Sequence, residues 1–247
     1  MINKKYIEKI ACDFRLSNGI SNTDAVDLPA LLRKLNVLTI FKPLSDSFSG
    51  MALKHGKEKF MLINSNHRES RQNFTIAHEL YHLFIQENFD IETSKNIGLF
   101  KYSKKDIEET KADYFSAFLL MPSDGIFKII PAKEVMDNNI SISTIIKAEQ
   151  FFRVSRMALL MRLKSLNLID SHKIDEYSLN VKGSISNRDV DVSLYEAKNK
   201  NHLIGDYMLL AQNLFEADKI SRGDFASIMI DAGVDIYDNS NYLERVN

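Results

Sequence analysis

The stretch at residues 74–86, FTIAHELYHLFIQ, constrains this chain more than any other because it contains the motif H-E-x-x-H. Apolar residues fill most of it and neither glycine nor proline interrupts it, so the pattern predicts a helix buried in a core. Residues four apart share one face of a helix, and His78 and His82 would therefore present both imidazole rings to one metal ion. The carboxylate of Glu79 would lean toward the same ion and could deprotonate a water bound to it.

Chance is the alternative explanation of this motif, since short motifs recur and two core histidines can be satisfied by hydrogen bonds alone. Ser70 and Asn73 are the candidate N-cap residues of the helix. A catalytic zinc site needs a third protein ligand, so the metal hypothesis depends on a suitable side chain elsewhere in the chain.

A second predicted helix, residues 107–121, contains acidic residues and is ended by Pro122. Glu109 and Asp113 are four apart and share a face, and burying two acids beside apolar residues is costly unless they pair or bind metal. Glu109 is the predicted third ligand, and Asp113 is the predicted acceptor that fixes the tautomer of a ligand histidine. Glu108 is a rival ligand, but it lies about 100° round the helix from Glu109. Two solvated carboxylates are the structural alternative.

Three segments together resemble the ImmA/IrrE family of metallopeptidases. The likeness lies in NFTIAHELYH at 73–82, E-x-x-A-D-x-F at 109–115 and LLMP at 119–122, and it extends over residues 28–169. Members of that family are bacterial and phage proteins with a minimal zincin fold. They cleave, or are thought to cleave, a helix-turn-helix repressor and so switch on a stress or mobile-element response.

The resemblance implies that His78, His82 and Glu109 are metal ligands and that Glu79 is the catalytic base. The predicted activity is that of a gluzincin-like endopeptidase that uses zinc, or manganese in the cell, to activate a water. Glu79 would take the proton of that water and pass it to the leaving amine. The predicted substrate is an intracellular protein, in the first place a helix-turn-helix repressor.

Other polar rings near the motif have weaker assignments. Tyr81 and Tyr114 are candidate oxyanion stabilisers, although packing in a core is the commoner role of a tyrosine in such positions. His55 and His67 fall in predicted turns and are expected to be exposed. A polar connection at 87–106 joins the two metal-bearing helices and must lie near the site.

Three short strands are predicted ahead of the motif helix, at 37–41, 48–53 and 58–64. A small sheet packed on an active-site helix suits a zincin, so the predicted fold class is α+β. In such proteins an edge strand can hold the substrate peptide by strand addition. Either the second or the third strand could be that edge, and the sequence leaves the choice open.

Residues 142–151 and 155–166 read as two helices joined by a tight turn, with Ser155 as the N-cap of the second. The pair resembles a helix-turn-helix, and four basic side chains are available for DNA contact: Arg153, Arg156, Arg162 and Lys164. The favoured interpretation is a helical pair that packs on the peptidase part or docks the repressor, because no strongly basic excess surrounds it.

The predicted organisation has three parts: a zincin-like metallopeptidase domain at 1–125, a helical, helix-turn-helix-like segment at 126–170, and a C-terminal module at 171–247. Alternation at 177–181 and 190–194 predicts a hairpin in the last part. Amphipathic helices are predicted at 203–216 and 224–232. Substrate recognition or dimerisation is the expected role of this module, and the oligomeric state is left open.

Composition limits the remaining function classes. The chain has 247 residues and a net charge of −1, so the molecule as a whole is not built to bind nucleic acid or anionic lipid. Its single cysteine, Cys12, fits a reducing cytoplasm, and neither a signal peptide nor a membrane-spanning run is visible. The predicted location is the cytoplasm. The alternative function is a DNA-binding or repressor-sequestering regulator with a non-catalytic metal site.

Overall fold

A computed structural model describes residues 2–87, 107–179, 181–185 and 190–233. The described α-helices are α1 Lys4–Ser17, α2 Leu28–Lys34, α3 Glu69–Phe84, α4 Ile107–Leu120, α5 Ser123–Ile129, α6 Ala132–Met136, α7 Ile142–Phe152, α8 Arg156–Ser165, α9 Ser171–Ser178, α10 Val181–Ile185, α11 Tyr207–Glu216 and α12 Arg222–Asp231. The strands are β1 Val37–Lys42, β2 Gly50–His55, β3 Glu58–Asn64 and β4 Leu203–Ile204. The predicted α+β class is confirmed.

The sheet is mixed, with strand order β2-β3-β1-β4. β1 and β3 are parallel, whereas β2 pairs antiparallel with β3 and β4 pairs antiparallel with β1. The three predicted strands are present, but the prediction missed β4, which lies where a helix was expected. β3 is internal, so the alternative that it offers a free edge is wrong. In the described part of the chain, β2 has no strand on its outer side.

The starts of α2 and α3 have different causes. α2 begins after Asp27, whose side chain accepts a hydrogen bond from the Ala30 N–H at 3.0 Å. α3 begins at Glu69, earlier than predicted, so Ser70 and Asn73 lie inside the helix and are not its N-cap. A contact distant in sequence replaces the cap, because the Glu69 N–H donates to the Glu196 carbonyl at 2.8 Å.

One hydrophobic core connects most of the molecule. It includes buried side chains from Ile7 of α1 to Tyr177 of α9, together with Ile204 of β4. α3 and α4 pack against each other in this core, and α4 also packs on α1. A smaller apolar cluster, in which Phe225 stacks on Phe215, joins α11 to α12. The boundaries expected at 125 and 170 stay predictions. Among the described helices, none combines the length and the apolar content that a bilayer crossing requires.

The C-terminal part differs most from the prediction. The expected hairpin is wrong, since residues 171–178 form α9 and Val192–Tyr195 forms a 3-10 helix. Asp170 caps α9 by accepting a hydrogen bond from the Lys173 N–H, which favours the helix over the alternating strand. Beyond Glu87, the polar connection predicted at 87–106 lies outside the described residues.

The helix-turn-helix-like pair α7–α8 has the predicted turn and cap. Arg153 ends α7 in the left-handed region with φ 52°, and the Ser155 hydroxyl accepts the hydrogen bond of the Ala158 N–H. The basic side chains, however, have partners inside the chain. These partners are Glu69 and Asp191 for Arg153, Glu149 for Arg156, Glu8 for Arg162, and the Ser171 hydroxyl for Lys164.

Arg156 and Arg162 are almost fully buried, at 4% exposure each, so their charge is not available to a phosphate backbone. The structure therefore supports the packing interpretation of this helix pair over the DNA-contact interpretation. The local sequence pattern is that of a helix-turn-helix, but its basic residues hold the fold together.

Candidate metal centre

α3 and α4 bring together the three side chains predicted to bind metal. The Nε2 atoms of His78 and His82 are 3.0 Å apart. The two carboxylate oxygens of Glu109 lie 3.1 Å from the His78 Nε2 and 3.3 Å from the His82 Nε2. Both rings are buried and Glu109 is partly exposed, so the group is held in the core and has one side near the surface.

The opposite ring nitrogens face hydrogen-bond acceptors. The His78 Nδ1 donates to the Asp113 carboxylate at 2.9 Å, as predicted. The His82 Nδ1 donates to the Gln86 side-chain carbonyl at 2.5 Å. Each ring is thereby held with its Nε2 lone pair directed toward the shared space. Sequence reasoning missed Gln86, although its position four residues after His82 on the same helix face was the available signal.

Glu79 is fully buried on α3, beside the first histidine. Its negative charge acts on both rings, because it contributes to raising the pKa of His78 and that of His82. The predicted base therefore lies within the electrostatic reach of the cluster. One oxygen of the Asp113 carboxylate binds His78, and its Oδ2 is buried without a hydrogen-bond partner among the described residues.

The electrostatics of the cluster favour positive charge. Burial by itself lowers the pKa of His78, but the hydrogen bonds to Asp113 and Glu109 outweigh it and raise the pKa to about 10. Burial also lowers the pKa of His82, but its hydrogen bond to Glu109 outweighs this effect and the pKa is raised. Burial would raise the pKa of Glu109, yet its hydrogen bonds with the two rings hold it well below the ordinary value. Three carboxylates thus lie around two imidazoles, and their excess negative charge favours the binding of a cation.

The remaining candidates lie at the border of the cluster. The Tyr81 hydroxyl donates to Glu108 at 2.7 Å, and Glu108 also accepts from Lys111 at 2.6 Å. Glu108, the rival ligand, is therefore held by Tyr81 and Lys111. Tyr114 stacks on the ring of Phe118, with centroids 6.0 Å apart. The oxyanion roles of Tyr81 and Tyr114 stay predictions.

Comparison with known families bears on this arrangement. Residues 32–164, more than half of the chain, match the family model of the IrrE N-terminal-like domain, peptidase M78. The chain belongs to the peptidase M78 family. The resemblance to the ImmA/IrrE proteins is thereby confirmed, and membership in a metallopeptidase family implies a protein substrate. No curated protein matches this peptidase M78 chain.

The donor set of this peptidase M78 protein fits a small divalent ion. Zinc bonds of about 2.0–2.1 Å in a tetrahedron place neighbouring ligand atoms about 3.3 Å apart. The ligand atoms of His78, His82 and Glu109 lie within 4.8 Å of one another, and the closest pairs, at 3.0 to 3.3 Å, match that spacing. Two imidazole nitrogens and one carboxylate are also the donors of a catalytic rather than a structural zinc site.

Proposed function

We propose that this protein is a metal-dependent endopeptidase. His78, His82 and Glu109 hold a zinc ion, or manganese in the cell, and Glu79 is the general base. The observation that carries the proposal is the convergence of two Nε2 atoms and one carboxylate at 3.0 to 3.3 Å in a buried, anionic setting. Family membership supports it independently.

When bound, such an ion lowers the pKa of a coordinated water and polarises a carbonyl oxygen. The protein side chains do the rest. Asp113 and Gln86 keep the rings of His78 and His82 oriented through their Nδ1 atoms. Glu79 accepts a proton from the attacking water and delivers it to the nitrogen of the leaving amine as the C–N bond breaks. Water thereby adds to the two halves of the peptide bond without any further reactant.

The proposed substrate is an intracellular helix-turn-helix repressor, held as an added strand along the outer side of β2. Support for strand addition comes from the position of β2 at the edge of the sheet, next to α3. Support for the repressor, and for a stress or mobile-element response, comes from the resemblance to the ImmA/IrrE family.

The test is to incubate the metal-loaded protein with a helix-turn-helix protein encoded beside it and to identify products by mass spectrometry. Two fragments that share one cleaved bond are expected. The Glu79→Gln variant serves as the matched control, because it should retain metal and lose about 10²–10⁴-fold in rate. Cleavage at an undiminished rate by that variant would contradict the role of Glu79. A repressor that is bound but stays intact would favour sequestration instead.

The DNA-binding alternative gains no support from the described residues. Arg156 and Arg162 are buried against Glu149 and Glu8, which removes the charge that DNA contact requires. A gel-shift assay on the promoter of the neighbouring gene should show no binding that weakens with salt.

A further inference from the structure

Arg71 lies on the same face of α3 as the metal cluster. Positions 71, 75, 78 and 82 are spaced by four, three and four residues, so they form one stripe along the helix. Arg71 is seven residues before His78, which places its Cα about 10 Å from that of His78 along the helix axis. A side chain there lies on the same helix stripe as the two histidines.

The guanidinium of Arg71 is also fixed to the start of the edge strand. Its Nη2 donates to the hydroxyl of Ser49, the residue before β2, at 2.9 Å. The strand and the helix approach closely at this point, because a Cβ built at Gly50 would lie 2.6 Å from the Thr75 methyl group. Arg71 therefore lies where α3 meets the start of β2.

Arg71 carries a charge that no carboxylate of the described residues contacts directly. It forms no ion pair with any of them, and its Nε is buried without a hydrogen-bond partner in that part of the chain. Burial lowers its pKa, and the charge of Asp46 opposes that effect without a direct contact. A partly buried cation without a carboxylate partner is costly, and a position in the first turn of a helix adds to the cost.

A second polar side chain, His67, lies near Arg71 and has a ring nitrogen with no hydrogen bond to any described residue. His67, which was expected to be exposed, is only 6% exposed, and its Nδ1 has no partner among the described residues. Its Nε2 lies 3.3 Å from the Asp46 carbonyl. Burial lowers the pKa of His67, and the charge of Arg71 lowers it further, so both effects favour the neutral ring. In the neutral ring the Nε2–H donates to the Asp46 carbonyl, so Nδ1 is an acceptor. Arg71 is therefore the group of this pair that can bind a carboxylate that arrives from outside.

The relative direction of β2 and α3 gives the position of that carboxylate. Gly50 of β2 is next to Thr75, whereas Lys59, which pairs with Lys54 of β2, lies 5.4 Å from the ring of Phe84. β2 and α3 therefore run the same way. A peptide that pairs antiparallel with β2, the slightly more stable arrangement, passes the metal cluster first and reaches Arg71 with its C-terminal side. At about 3.3 Å per strand residue, the separation is about three residues.

We propose that Arg71 selects substrates with a carboxylate about three residues C-terminal to the cleaved bond. An aspartate or glutamate side chain or the free end of a chain could supply it. The inference rests on the proposed peptidase function. It deepens that proposal, because it names a specificity residue and the chemistry that the residue recognises.

The test uses zinc-loaded Glu79→Gln protein and pairs of peptides that differ only by Asp against Asn, Glu against Gln, or a free against an amidated C-terminus. Binding is measured by fluorescence anisotropy. The acidic member of a pair should bind about 10–100-fold tighter, the value of a hydrogen bond to a charged group. Adding Arg71→Ala should abolish the difference, and Arg71→Glu should reverse it in favour of a lysine peptide. Arg68→Ala, which removes an equal charge from an exposed position one turn away, should leave it unchanged.

The active protein gives an independent readout on a mixture of peptides from a digested proteome. Acidic residues or chain ends should be enriched about three positions after the cleaved bond, and Arg71→Ala should remove this enrichment. The inference would be overturned by any of three results: cleavage without this enrichment, enrichment only on the N-terminal side of the cleaved bond, or no peptide binding at all. Acid-selective binding that depends on Arg71, with no cleavage by the active protein, would overturn the peptidase proposal and leave the role of Arg71 in place.

Discussion

The helix pair α3–α4 and the helix pair α7–α8 both bury ionisable side chains, but they balance the charges differently. In α7–α8, Arg156 meets Glu149, whose second oxygen also accepts from the Tyr195 hydroxyl at 2.8 Å. Each buried charge there has a partner of opposite sign. In α3–α4, three carboxylates lie around two imidazole rings, and the ring nitrogens converge on a shared space.

This difference separates buried charges that neutralise each other from a group of buried charges that can bind a cation. A closed ion pair needs nothing further, whereas an excess of carboxylates around neutral rings is stable only with an added cation, either protons or a metal. The two regions look alike in sequence, because both place ionisable residues on helices that are otherwise apolar. Charge balance after folding is what distinguishes them, and the following variants test that distinction.

The largest effect is expected from Glu149→Ala in α7–α8. The change leaves Arg156 buried without its carboxylate, and breaking such a pair costs about 3–5 kcal/mol. Urea unfolding should show the loss, and zinc titration should show an unchanged affinity. A loss below about 1 kcal/mol, the value of an exposed pair, would mean that this region does not depend on its internal pairing.

Next comes the pH dependence of the metal-free protein. The pKa of His78 is raised to about 10 from an unfolded value of about 6.5. The folded state therefore holds more protons between these values, and stability is lost as pH rises through that window. Thermal unfolding in chelator should show Tm falling from pH 6.5 toward 10, and zinc, which replaces the protons, should remove the fall. A metal-free Tm that is flat or rises across this window would contradict the charge excess.

A smaller effect is expected from Asp113→Ala. Loss of the carboxylate that orients His78 should weaken zinc binding by about 10–100-fold. Asp113→Asn is the matched control, since it keeps an acceptor oxygen and loses only the charge. The measurement is competition against a chelating dye, and an unchanged affinity in the alanine variant would remove Asp113 from the site.

The smallest effect is expected from Gln86→Ala. The lost hydrogen bond to His82 is neutral and worth about 1 kcal/mol, so zinc affinity should fall about 5-fold. Gln86→Glu, which restores an acceptor and adds charge, should bind zinc at least as well as the unaltered protein. An effect of Gln86→Ala larger than that of Asp113→Ala would reverse the order expected from charge.

The side chains that converge at the candidate metal centre were predictable because their placement depends on short-range geometry. Spacing of four on a helix places His78 with His82, and Glu109 with Asp113, whatever surrounds them. That these two helices pack together was predicted from the family resemblance and from the cost of burying acidic side chains. Gln86 had the same signal and was overlooked.

Features set by distant contacts were not predictable. The two residues of β4 are too short to show a strand pattern, and they pair with a strand more than 160 positions earlier. α3 starts at Glu69 because a carbonyl at 196 accepts its N–H. His67 and Arg162 are polar residues whose burial depends on neighbours brought in by the fold. Local propensity carries no trace of any of these.

β4 also determines how far the chain can be shortened. A fragment limited to residues 32–164 would lose β4 and uncover the outer side of β1, as well as the carbonyl that completes the start of α3. Such a sheet would have two open sides, and open strand edges attract one another between molecules. We therefore expect trimming to the family-matched region to increase self-association, because the two-residue strand covers the outer side of β1.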